Sequence, residues 1–150
     1  ARLDWDELAR IRDRWPRKLV VKGVLHPEDA RRAAALGADG LVVSNHGGRQ
    51  LASAPAPIDC LAAIRAAAGP EMAILVDGGF RSGEDICKGI ALGADLVLLG
   101  RPFLYACGAM GPAGPEHLIA LIADELDRAM AQLGCPAVAD LANVLVEGAP

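Results

Sequence analysis

Aromatic side chains are scarce in this sequence: two Trp, two Phe and one Tyr among 150 residues. A core with so few rings must be filled by Ala, Val, Leu and Ile, which suits helices packed closely over buried strands. Positive charge is also short, with 15 Lys and Arg against 19 Asp and Glu and a formal net charge of -4. That excludes a general nucleic-acid binder, which neutralises phosphates with clustered Lys and Arg. No apolar run reaches the roughly 18 residues that would span a bilayer. The first residues include Arg2, Asp4, Asp6 and Glu7, so no signal peptide is expected. The four cysteines, Cys60, Cys87, Cys107 and Cys135, show no zinc or haem spacing. They are expected to be small buried or half-buried thiols in a reducing compartment, with no metal bound.

What the sequence does have is punctuation. Residues 3–15 read as an amphipathic helix, with Asp4 and Glu7 at capping-box spacing, Leu8, Ile11 and Trp15 on one face, and Pro16 as its stop. Leu19, Val20 and Val21 form a short β-branched run ending at Lys22-Gly23, the pattern of a strand buried on both faces. After His26, Pro27 suits the first turn of a helix over 27–36 that Gly37 ends. Residues 40–44 are the next strand, 59–68 an Ala-rich helix closed by Gly69-Pro70, and 73–77 a third strand. Ser82 and Asp85 cap a helix over 83–92 that ends at Gly93, and 96–100 is a fourth strand. The last helix, over about 116–133, places Leu118, Leu121, Ile122, Leu126, Met130 and Leu133 on its buried side and His117 toward solvent.

A helix followed by four strand–helix units implies an α/β fold with a parallel sheet. Ala35-Leu36-Gly37-Ala38-Asp39 recurs two units later as Ala91-Leu92-Gly93-Ala94-Asp95, each time leading into a strand. A two-unit repeat is natural in a (β/α)8 barrel, where alternate strands supply equivalent layers. Such a barrel needs eight strands, so the expected architecture is half of one. Four parallel strands alone would leave two apolar edges unpaired. The competing pattern is a complete four-stranded flavodoxin-like domain.

Polar residues gather where the strands end, and in a parallel barrel all those ends face one mouth. Lys22, Ser44, His46, Arg49, Asp77, Arg81 and Arg101 all fall there. In the run Ser44, Asn45, His46, Gly47, Gly48, Arg49, Gln50, an imidazole able to take a proton near neutral pH precedes a guanidinium able to fork onto a carboxylate. A histidine before a Gly-Gly turn also reads as structural, and from the residues alone the two readings balance. Asp77, Gly78, Gly79, Phe80 and Arg81 lead from a strand into a helix, where free N–H groups and the helix dipole favour an anion. Gly100-Arg101 closes the following strand in the same way.

These motifs, in this order, resemble those of the FMN-dependent 2-hydroxy-acid oxidases and dehydrogenases, a family that includes glycolate oxidase, L-lactate dehydrogenase and mandelate dehydrogenase. The resemblance covers nearly the whole chain but only the C-terminal half of the family's TIM barrel. It implies FMN as cofactor and a small L-2-hydroxy acid as substrate, with His46 as the catalytic base and His46 and Arg49 as substrate-binding residues. It further implies that Lys22 and Ser44 contact the flavin, that Asp77 binds the ribityl chain, and that Gly78, Gly79, Phe80, Arg81, Gly100 and Arg101 complete the cofactor site around the phosphate. Other phosphate-binding barrels, such as inosine monophosphate dehydrogenase, share the Asp-Gly-Gly and Gly-Arg loops without the Ser44–Gln50 run. The sequence departs from the family at Ala52, where an acidic residue is usual, and Pro55 and Pro57 stiffen that loop. The resemblance places a carboxylate partner for the histidine in an N-terminal half-barrel that this chain does not contain. The chain is therefore expected to be inactive without that half, supplied as a separate chain, a cleaved piece or another segment. A homo-oligomer, often a tetramer, and a cytoplasmic location, including the inner face of the membrane, are also implied.

Overall fold

In a computed structural model, which describes residues 4–145, the glycine-ended runs become four strands: β1 (Val20–Val24), β2 (Gly40–Val43), β3 (Ala73–Asp77) and β4 (Leu96–Leu98). They pair in parallel in the order β1-β2-β3-β4. Before and between them lie α1 (Trp5–Arg14), α2 (Pro27–Ala35), α3 (Pro57–Ala68) and α4 (Gly83–Ala91), with α5 (Arg101–Met110) and α6 (Gly114–Leu133) after the last strand. A sequential strand order has no switch point, which removes the flavodoxin-like alternative and leaves barrel topology.

Register explains the layering. Val21 pairs with Leu41 and Leu41 with Ile74, while Val24, Val43, Val76 and Val97 form the next row on the same face. That face is buried against Ala30 and Ala33 of α2 and Leu61 and Ile64 of α3. On the opposite face Val20, Lys22, Ala73 and Leu96 are exposed and Leu75 and Leu98 half-buried, while Gly40 and Val42 of the inner strand β2 are buried. Val20 is 47% exposed and Leu96 51%, so the expectation that the first strand is buried on both faces is not met. Helices cover one face of this sheet, as they do on the outside of a barrel.

The repeated Leu-Gly-Ala-Asp segments have a structural counterpart. Asp39 accepts the Leu19 N–H at 2.9 Å and donates its own N–H to Leu19 O at 2.8 Å. Asp95 does the same with Ile74, at 2.7 Å in each direction. An arginine from the helix one unit back completes each clasp: Arg12 of α1 reaches Asp39 and Gly37 O, both at 3.2 Å. Arg65 of α3 reaches Asp95 at 2.5 Å and Gly93 O at 2.7 Å. These clasps tie the helices to the N-terminal ends of the strands, opposite the mouth.

Capping agrees with the sequence: Asp4 Oδ1 accepts the Glu7 N–H, and Ser82 and Asp85 form a capping box on α4. Three details differ. Helix α5 has no counterpart in the sequence pattern, because Leu104 and Tyr105 face solvent (69% and 68% exposed) and no apolar stripe marks it. On α6 Leu118 and Met130 are buried, but Leu121 and Leu133 are exposed, as are Ile11 and Trp15 on and just after α1. Cys107 is exposed, while Cys87 and Cys135 share a small second core with Met130 and Leu141.

Candidate active site

The strand ends do converge. A cleft of about 340 Å³ is lined by Lys22, His46, Gly47, Arg49, Asp77, Gly78, Gly79, Phe80, Arg81, Gly100 and Arg101, with Leu98, Leu99 and Leu104 as its apolar wall. Every sequence-expected site residue except Ser44 borders it. Four cationic side chains against one carboxylate give the cleft a positive lining in a chain that is net acidic.

Ser44 lies beneath the cleft, 1% exposed. Its Oγ accepts a hydrogen bond from Lys22 Nζ at 3.0 Å and another from the His46 N–H at 3.1 Å. Lys22 Nζ also donates to Asp77 Oδ2, joining β1, β2 and β3 across the sheet. The other Asp77 oxygen, Oδ1, is buried without a partner among the described residues.

His46 opens a single 3-10 turn and has φ +56°, with Gly47 and Gly48 at +71° and +73°. Three consecutive residues in the left-handed region coil the chain tightly, leaving the His46 and Arg49 side chains exposed on the cleft rim. Asn45 fastens this loop: its carbonyl accepts the Gly48 N–H at 3.0 Å and its Nδ2 donates to Pro55 O at 3.3 Å. A second buried orphan acceptor, Asn45 Oδ1, lies against Gly78, where a β-carbon would come within 2.9 Å of it. Asn45 therefore ties the His46 loop to Pro55 and packs close beside Gly78, a role the sequence did not reveal.

On the far side, the Arg81 and Ser82 N–H groups are taken by Asp85 at 2.8 and 3.2 Å. Arg81 NH1 donates to Phe80 O at 2.8 Å. Phe80 borders the cleft, but its ring belongs to the core and is 4% exposed. No atom lies within 4 Å of the position a Gly79 side chain would take, nor of that at Gly100. Arg101 begins α5, whose positive end opens on the cleft, and its NH2 reaches Gly47 O at 3.5 Å.

Open glycine backbone, a helix N-terminus and two exposed arginines fit a phosphate, and the orphaned Asp77 oxygen fits a hydroxylated chain. The sheet order defines a barrel of the (β/α)8 class, of which the chain forms four units, with the cleft at its strand ends. The family model of FMN-dependent dehydrogenase matches residues 1–147. The chain is 48% identical over 141 residues to the (S)-mandelate dehydrogenase of Pseudomonas putida, covering 94% of this chain and 35% of that protein. It is 50% identical over 137 residues to an L-lactate dehydrogenase of Xanthomonas axonopodis pv. citri, covering 91% and 35%. Among solved structures, that of the monotopic membrane protein (S)-mandelate dehydrogenase superposes with a TM-score of 0.88 at 48% identity, over 93% of this chain and 37% of that one. A mandelate oxidase with (S)-2-phenylpropionate gives 0.88 at 45% identity, over 94% and 42%. The chain belongs to the FMN-dependent dehydrogenase family, and it spans about a third of the length of the curated relatives it matches.

Proposed function

We propose that this chain is the C-terminal half-barrel of an FMN-dependent enzyme that oxidises a small L-2-hydroxy acid to the 2-oxo acid. The observation that carries the reading is the gathering of His46, Arg49, Lys22, Asp77, Arg81 and Arg101 around one cleft, from four successive strand ends. The mandelate and lactate enzymes among the relatives support the substrate class.

Gly79, Arg81, Gly100 and Arg101 would hold the FMN phosphate, and the free oxygen of Asp77 would accept from a ribityl hydroxyl. Bound FMN supplies the two-electron acceptor. Lys22, anchored by Ser44 and Asp77, places its ammonium where negative charge on the cofactor would be stabilised. Arg49 pairs with the substrate carboxylate and fixes its orientation. His46 takes the substrate proton on a ring nitrogen. No side chain among the described residues hydrogen-bonds that ring, and its carboxylate partner comes from the N-terminal half-barrel. The same reading gives a cytoplasmic location that includes the inner face of the membrane; the relative described as a monotopic membrane protein supports association with a membrane. No helix among the described residues is long and apolar enough to cross a membrane.

The test is the visible spectrum of the full-length protein under anaerobic conditions. A flavin spectrum that bleaches on adding L-mandelate or L-lactate supports the reading, and one that bleaches with no 2-hydroxy acid counts against it. His46→Gln should lower kcat by about 10²–10⁴-fold, the usual contribution of a general base. Arg49→Met should weaken substrate binding by about 1.5–3 kcal/mol, the worth of a hydrogen bond to a charged group.

A further inference from the structure

Strand β1 does not run straight into the cleft. Its pairing with β2 slips between Lys22 and Val24, so Gly23 is an extra residue in the strand, with φ +99°. The sequence suggests that Lys22-Gly23 ends the strand; instead the strand continues to Val24 through a bulge, which re-aims the chain beyond it. The His46 imidazole lies over the space this leaves. A β-carbon at Gly23 would stand 2.8 Å from His46 Cε1 and 3.7 Å from each ring nitrogen. Carbon atoms do not pack that closely, so a side chain here displaces the ring. The ring meets Gly23 through its Cε1 edge, so neither nitrogen is consumed by the contact. The His46 backbone is fixed separately, through its N–H to Ser44 Oγ.

We propose that Gly23 is a positioning residue: its bulge in β1 is the seat of the His46 imidazole and sets where the ring nitrogens stand at the cleft. This rests on His46 acting as the base and adds the residue that places it. Two requirements coincide at Gly23, a left-handed backbone and an empty β-position, and they are separable. Asparagine accepts a positive φ more readily than alanine but carries the same β-carbon.

The experiment compares Gly23→Ala, Gly23→Asn and His46→Gln in the FMN-loaded full-length protein. Both Gly23 variants should lose about 100-fold in kcat, the scale of a misplacement of about 1 Å. Their KM and FMN affinity should change little, which separates loss of base placement from loss of binding or of fold. An independent readout is NMR of 13Cε1-labelled histidine. Wild type should show a nuclear Overhauser contact between the His46 Hε1 and the Gly23 α-protons, and each Gly23 variant should shift the His46 resonance while His26 and His117 stay in place. Near-wild-type turnover in Gly23→Asn would reduce Gly23 to a backbone requirement and overturn the seat, as would absence of the contact in wild type. If His46→Gln keeps its activity, the assignment of the base fails; if it loses activity while both Gly23 variants keep theirs, only the seat fails.

Discussion

Ser44 joins two residues that line the cleft, since one buried hydroxyl accepts from both Lys22 and the His46 N–H. Replacing it with alanine leaves the His46 N–H without its acceptor and removes one of the two bonds that Lys22 makes, the other being to Asp77, at a cost of about 1–3 kcal/mol. Ser44→Ala should therefore lower the urea midpoint with an unchanged slope. Asp39, at the opposite end of the sheet, responds to pH. The Lys18 ammonium bonded to its carboxyl, the Leu19 N–H and the charges of Lys18 and Arg12 hold its pKa below the ordinary value, against a smaller opposing effect of burial. A carboxyl depressed in the folded state stabilises the fold at pH above the ordinary carboxylate range, and the contribution is lost as pH falls through the folded-state value. Between neutral and acidic pH, Asp39→Asn should lose less stability than wild type, as read by denaturation midpoints. An equal loss in both proteins would remove Asp39 from the acid response.

At the scale of elements, legibility in the sequence depends on whether the signal is local. Strand runs, glycine ends and caps are written within a few residues, so all four strands and the start of α4 at Ser82 are readable. The Ala-Leu-Gly-Ala-Asp echo is also visible, but its cause is not. The Asp39 and Asp95 clasps are completed by Arg12 and Arg65, which lie 27 and 30 positions away and share no motif with them. The roles of Gly23 and Asn45 are hidden for a similar reason, since each acts on a residue of another segment or loop. Arg65 also donates to Gly69 O at 3.2 Å and Met72 O at 2.7 Å. It thus holds α3, the turn into β3 and the turn into β4 together. Arg65→Met should destabilise the fold by about 3 kcal/mol, in the range for charge-assisted hydrogen bonds whose partners are left behind. A loss near zero in chemical denaturation would mean that water replaces those bonds and the clasp contributes only register.

For the whole molecule, the informative surface is the sheet face without helices. Val20 and Leu96 are exposed there and Leu75 and Leu98 half-buried, and β1 and β4 each pair on one side only. Free strand edges and an exposed apolar face favour association with further strands. The same face rises toward the mouth into Lys22 and Asp77, so whatever covers Leu75 and Leu96 also roofs the cleft. Covering the core and completing the active site are then one event, and stability and FMN binding should be gained together. Residues 1–150 alone should bind a hydrophobic dye, self-associate in sedimentation, and hold FMN weakly or not at all. Adding the N-terminal half-barrel should abolish dye binding and restore the flavin spectrum and substrate bleaching in the same titration, with one midpoint. Two separate midpoints, with dye binding lost before flavin is retained, would show that the sheet face can be covered without building the site. That result would break the link between closure of the barrel and assembly of the catalytic cleft.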